Sequence, residues 1–170
     1  QTDYFRSPDG SVVNNSAVIF TEVDNTKPFT FTAKVQPEFT ETGTYSAGVI
    51  YAYENDTHCQ KLCFEQDEYG DHRVVSVRTL GTSDDNNHQA ITAPYVYMRL
   101  SSDGTTLGSY FSEDGKIWRM ARLYKNDFPE KLLIGISSQS PKDNEHTCLF
   151  TEVSLTDKPV ADFRKGNIAE

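Results

Sequence analysis

A chain of 170 residues can bury one substantial core but is too short for two ordinary domains, so residues 1–170 read as a single domain. Sixteen Lys and Arg stand against 25 Asp and Glu, a formal charge of -9; that acidic field repels phosphate backbones and anionic headgroups, so neither nucleic acid nor a membrane is expected as a partner. Hydrophobic content of 36% includes no apolar run long enough to cross a bilayer, while 12% aromatics supply large buried area per residue.

In chain order, β-branched and aromatic residues alternate with polar ones over residues 17–23 (AVIFTEV), 29–36 (FTFTAKVQ), 47–54 (AGVIYAYE), 61–66 (KLCFEQ) and 73–80 (RVVSVRTL). After a polar stretch over 81–94 (GTSDDNNHQAITAP), expected to be a long loop, the alternation resumes over 95–102 (YVYMRLSS), 105–112 (TTLGSYFS), 116–123 (KIWRMARL), 131–139 (KLLIGISSQ) and 147–155 (TCLFTEVSL). Ten short segments at intervals of roughly 8 to 12 residues predict an all-β sandwich or barrel. No capped 3.6-residue periodicity of helical length occurs, and a single helical turn around 125–130 is the most the pattern allows. Within YFSEDGKIW (110–118), a turn with Gly115 in the left-handed conformation predicts that Trp118 faces Tyr110, or Phe111 in the shorter register. The first reading of Trp118 is therefore a hairpin clamp, and the second a platform for a sugar ring.

The stretches TDYFR (2–6), AGVIYAYEN (47–55), KLCFE (61–65), SVRTLGTSDD (76–85), YVYMRL (95–100), YFSEDGKIW and IGISSQSP (134–141) together resemble the family named after regulation of enolase protein 1, a domain of unknown function with a concanavalin A-like jelly-roll fold. The resemblance implies two antiparallel sheets, one of them concave, with further N-terminal strands ahead of TDYFR that this chain is expected to lack. It implies no established reaction, because the same fold serves lectins and glycanases.

Three cysteines do not make a disulfide framework. Cys59 and Cys63 lie about 13 Å apart on one strand, too far to bond each other, although Cys148 could reach one of them. The odd count points to a reducing, cytoplasmic setting, against which stand the glycosylation-type triplets Asn14-Asn15-Ser16 and Asn55-Asp56-Thr57.

The chemistry-bearing residues lie mid-strand and in the polar stretch. In KLCFE, Leu62 and Phe64 point to one face, while Lys61, Cys63 and Glu65 point to the other, which makes that face polar in mid-sheet. Lys61 and Glu65 are about 13 Å apart and need partners such as Arg78 or Tyr51, or a ligand. Ser83, Asp84 and Asp85 gather hydroxyl and carboxylate oxygens, and Gln139 adds an amide at the end of a strand. The predicted ligand-binding set is therefore Tyr51, Lys61, Glu65, Arg78, Ser83, Asp84, Asp85, Trp118 and Gln139, serving a carbohydrate or other polyhydroxylated ligand on the concave sheet. A regulatory protein-interaction domain is the second reading.

Glycoside hydrolysis is the third reading, because E-x-D-x-x-E is only fragmentary: EVDNTK (22–27) and EQDEYG (65–70) each lack the second Glu, leaving Glu65 and Asp67 as the nearest approach to a carboxyl pair. No residue is assigned a catalytic role. His58, His72, His88 and His146 have no zinc-ligand spacing, the spaced calcium-loop pattern is missing from 82–87, and no phosphate loop occurs, so no metal or cofactor is expected.

Overall fold

The computed structural model describes residues 1–143 and 145–169, which form thirteen strands and no helix. A five-stranded antiparallel sheet contains β4 (Phe29–Pro37), β9 (Val96–Ser102), β10 (Thr106–Ser112), β11 (Arg119–Lys125) and β13 (Cys148–Thr156), in the order β11-β10-β9-β4-β13. A six-stranded sheet contains β3 (Ile19–Asp24), β5 (Ala47–Asn55), β6 (His58–Gln66), β7 (His72–Leu80), β8 (Thr82–Ala90) and β12 (Lys131–Gln139), in the order β3-β12-β5-β6-β7-β8. A short hairpin of β1 (Tyr4–Arg6) and β2 (Val12–Asn14) is separate from both.

The period-two pattern decides what lies between the sheets. Phe29, Phe31, Ala33 and Val35 of β4 meet Ile50 and Ala52 of β5, Leu62 and Phe64 of β6, and Leu132 and Ile134 of β12 in one continuous buried cluster. Each large apolar side chain fully buried there contributes about 1.5–3 kcal/mol. The sheets approach closely at Gly48, where an added Cβ would collide with Cys148 Sγ and Val35 Cγ1. The architecture is the all-β sandwich that the alternation predicts, in the jelly-roll form that the family resemblance implies.

Three expectations need correction. The stretch over 81–94 is mostly strand β8, an edge strand solvated along much of its length; with neither face buried it has no alternation to detect. No helical turn forms near 125–130 among the described residues. The three cysteines are all free: Cys148 packs into the inter-sheet core, whereas Cys63 belongs to a second apolar cluster on the far face of β6.

Each sheet has its outer face partly covered by a terminal segment. On the five-stranded sheet, residues 157–169 are held by Val160 N donating to Ser101 Oγ at 2.9 Å, Tyr110 OH to the Phe163 carbonyl at 2.8 Å and Arg99 Nη1 to the Gly166 carbonyl at 2.6 Å. On the six-stranded sheet the cover is the β1–β2 hairpin, and the functional geometry follows from how it is seated.

Candidate functional site

The ladder of the six-stranded sheet aligns Gly135, Tyr51, Lys61, Val77 and Asp85 in one row across β12, β5, β6, β7 and β8. A second row joins Gln139, Ala47 and Glu65. Paired residues share a face, so Tyr51, Lys61, Glu65, Asp85 and Gln139 all project to the outer side, away from the core.

The hairpin divides that face. Thr2 bridges to Ser140, with Thr2 N donating to the Ser140 carbonyl at 2.9 Å, and carries the chain onto the sheet. Arg6 N donates to Ser83 Oγ and Arg6 Nε to the Gly81 carbonyl, at 2.9 and 3.0 Å; Asn14 Nδ2 reaches Asp56 Oδ2 at 3.1 Å. Beneath it Tyr4, Phe5, Val18 and Phe20 pack on Val49, Tyr51, Cys63, Val75 and Val77. Tyr51 is fully buried, edge-on to Tyr4 and Phe20, and so presents no ring face to a ligand. Its hydroxyl instead donates to Gln139 Oε1 at 3.3 Å. Ser83 is likewise buried, bonded to Thr79 Oγ1 and to Arg6 N.

Beside the hairpin a cavity of about 470 Å³ remains open, within the range of about 300–1,000 Å³ usual for small-molecule sites. Lys61, Glu65, Asp85 and Gln139 line it, joined by Asp3, Phe5 and Val13 of the N-terminal segment, Tyr45 before β5, Glu68, Asn87 and Lys142. Lys61 is only 2% exposed, and its Nζ donates to Asp3 Oδ1 at 2.7 Å. Burial opposes its charge, yet the Asp3 carboxylate and that hydrogen bond overcome the penalty and shift the ammonium upward. Among the described residues its other two N–H groups meet no acceptor and remain for a ligand.

Glu65 is half-buried and meets no hydrogen-bond or ion-pair partner among the described residues. Burial pushes its carboxyl up to about 8; Lys61 pulls it down, while Asp85, Asp3 and Asp67 add to the rise. Desolvation by the cavity wall raises Asp85 too, partly offset by Lys61, although the residue is otherwise exposed. Gln139 is 1% exposed; its Oε1 is taken by Tyr51, and its Nε2 donates to no group among the described residues. Tyr45 has φ of 65°. A bulky residue in that left-handed region is strained, and such strain concentrates where a side chain must be aimed.

Three predicted residues lie elsewhere. Arg78 pairs in register with Gln60, one position out of phase with Lys61, and so points to the opposite face. There its Nη2 donates to Asp127 Oδ2 at 2.5 Å and its guanidinium lies 4.2 Å from the Tyr124 ring centroid. Asp84 pairs with Arg78 and takes an ion pair from Arg122 at 3.3 Å. Trp118 sits on the other sheet, where the Arg99 guanidinium stacks 3.6 Å from its ring centroid. It faces neither Tyr110 nor Phe111, which pair with Met120 and Arg119. Asp114 Oδ1 captures the N–H groups of Lys116 and Ile117 at 2.8 Å each, which extends the turn and releases Trp118 from the ladder.

The pairing of Glu65 with Asp67 fails as well. Asp67 accepts from the backbone N–H of Tyr69 and Asp71 at 2.9 Å each and from Arg73, contacts that outweigh burial and hold its carboxyl below the ordinary range. It is a turn residue outside the cavity. Glu65 and Asp85 are two strands and four ladder positions apart, about 16 Å between backbones, an unpromising start for the separation of about 5–5.5 Å that retaining hydrolysis requires. Asp3, Phe5 and Tyr45 are cavity residues that the sequence reading does not assign. TDYFR marked the first two only as part of a motif, and no sequence signal marks the left-handed conformation of Tyr45.

The family described as "Protein of unknown function (DUF1349)" matches residues 1–158, and the chain belongs to it. A functionally unknown protein from Saccharomyces cerevisiae superposes with a TM-score of 0.82 at 25% identity, over 92% of this chain and 83% of its own. Two other similar structures are carbohydrate-active proteins. A xylan beta-1,4-xylosidase from Bacillus halodurans has a TM-score of 0.68 at 14% identity, over 85% of this chain and 30% of its own. An alginate lyase from Pseudomonas aeruginosa has a TM-score of 0.54 at 13% identity, over 93% of this chain and 87% of its own. At those identities the likeness is one of fold, and this chain spans less than a third of the xylosidase. No curated protein matches the chain.

Proposed function

We propose that this member of the DUF1349 family is a non-catalytic module that binds a carbohydrate or similar polyhydroxylated ligand in the cavity between the β1–β2 hairpin and the six-stranded sheet. One observation carries the reading: the inner wall of the cavity holds three polar groups with unused hydrogen-bonding capacity, the Lys61 ammonium, the Gln139 amide nitrogen and the Glu65 carboxyl. Buried polar groups left unpaired are costly, about 1–3 kcal/mol each, and a ligand rich in hydroxyls satisfies donors and acceptors together. Phe5 and Tyr45 line the same space and offer apolar surface to the ring faces of a sugar. Tyr51 acts as a positioning residue, because its hydroxyl fixes the orientation of the Gln139 amide. The carbohydrate-active proteins that share the fold are consistent with this use of the sandwich.

The test is an NMR titration of the isotopically labelled protein with neutral, amine-bearing and uronate oligosaccharides at millimolar concentration. Chemical-shift changes centred on Glu65, Asn87 and Gln139, weakened in Gln139→Ala and Asn87→Ala, support the reading. An unchanged spectrum with every class of sugar overturns it.

A further inference from the structure

The charge balance of the same cavity narrows the class of ligand, an inference that rests on the carbohydrate reading. Four carboxyl groups line the cavity, on Asp3, Glu65, Glu68 and Asp85, against two ammonium groups, on Lys61 and Lys142. Lys61 and Asp3 cancel one another through their 2.7 Å contact, which removes the buried one of the cavity's two lysines from the account. Lys142 is an exposed side chain after β12, whereas Glu65, next to the last position of β6, is half-buried with no hydrogen-bond or ion-pair partner among the described residues.

We propose that Glu65 is the seat for the ammonium group of an amine-bearing sugar, and that the cavity discriminates against uronic acids and sugar phosphates. A ligand ammonium at the Glu65 carboxylate supplies a charge partner that the cavity lacks, and a charge-assisted hydrogen bond in a partly desolvated setting is stronger than a neutral one. A ligand carboxylate or phosphate would face the carboxyl groups of Glu68 and Asp85 with only the mouth lysine to offset them. The surroundings of Glu65 act in the same direction: Asp85 from β8, Asp3 from the N-terminal segment and Asp67 from the following turn all disfavour its ionisation, and Lys61 alone favours it. Because burial and these carboxylates hold Glu65 up to about 8, it is mostly protonated at pH 7, and arrival of an ammonium expels that proton to the buffer.

Calorimetry of the whole chain tests the assignment, comparing glucosamine oligomers, N-acetylglucosamine oligomers and guluronate oligomers at pH 7 in two buffers of different ionisation enthalpy. Acetylation removes the charge and keeps the ring. On an ionised Glu65 the charged hydrogen bond outweighs the neutral one by about tenfold, and ionising Glu65 at pH 7 takes back a similar factor, so the expected result is net proton release with the amine at an affinity no weaker than that of its acetylated counterpart. Proton release should accompany only the amine, and guluronate should not bind. Glu65→Gln should abolish the proton release while retaining binding of the acetylated oligomer, and the buffer comparison on the unaltered protein stands even if that variant folds poorly. Absence of proton release with the amine, or tighter binding of guluronate, overturns the ammonium seat and leaves the carbohydrate reading intact. Binding of none of the three overturns both.

Discussion

Asp3→Asn tests the contact on which the cavity depends. The substitution keeps the size and hydrogen-bonding shape of the side chain but removes the charge facing Lys61, whose side chain is 3% exposed and whose ammonium has no other ion-pair partner among the described residues. Breaking a buried pair from one side costs about 3–5 kcal/mol, since the remaining charge stays desolvated. For a chain of this size each kcal/mol lowers the melting temperature by about 2–4 °C, so a fall of roughly 6–20 °C is expected. Equilibrium urea unfolding supplies the free energy, with the denaturant slope checked for constancy so that the midpoint shift reports stability. The double variant Asp3→Asn with Lys61→Met should recover most of the loss, because replacing both members of a buried pair is often close to neutral. A single variant within about 1 kcal/mol of the parent protein, or a double variant no better than the single one, would refute the idea that the pair is buried and mutually dependent. The hairpin would then not be seated on the sheet as described.

The remaining predictions use the same measurements. Glu65 has its folded pKa raised to about 8 from an ordinary value of 4.5, so the native state holds a proton that the unfolded chain has lost, and stability falls as pH rises from about 4.5 to 8. Glu65→Gln should remove that slope; one pKa unit is about 1.4 kcal/mol, so even half the shift gives a relative gain of about 2 kcal/mol by pH 9, and parallel stability curves would count against it. Tyr45→Gly relieves a left-handed backbone worth about 1–2 kcal/mol and should leave the melting temperature unchanged or higher while weakening sugar binding; a large loss of stability would mean that the ring is needed for packing. Trp118 lies on the sheet opposite the cavity, so ligand should not alter its fluorescence, and Trp118→Ala should lose about 1–2 kcal/mol of stacking on Arg99 without changing affinity. Quenching of this single tryptophan by sugar would place the ligand on the wrong sheet.

What could be read from the sequence, and what could not, follows from the range of the forces involved. Side-chain parity is local, so the division of Leu62 and Phe64 from Lys61 and Glu65 was legible and agrees with the sandwich. The phase of β7 against β6 depends on pairing between strands, which parity within one strand does not specify; Arg78 therefore looked like a partner for Lys61 although it pairs with Gln60 and points the other way. Asp84 follows Arg78 for the same reason. Trp118 was misplaced by a single side chain, because Asp114 binds two backbone N–H groups that a tight hairpin would have left to the ladder. The largest omission, the hairpin across the sheet, consists of two three-residue strands whose ladder pairing is with each other, too short to leave a periodic signal.

That omission also explains why an open groove became a bounded cavity. A bare six-stranded sheet would leave Lys61 hydrated and its charge available to anions. Laying Asp3 and Phe5 over it buries the ammonium, matches it with a carboxylate and raises an apolar wall beside it. Neutralising Lys61 leaves Glu65 as the unmatched ionisable group on the inner wall, and the wall that excludes water raises the cost of charging it. Covering the sheet and tuning the carboxyl are thus one structural event, which is why Asp3→Asn should change ligand selectivity along with stability. With Lys61 unpaired, the inner wall would regain a cation, and the discrimination against acidic sugars should shrink in proportion to the loss of the pair.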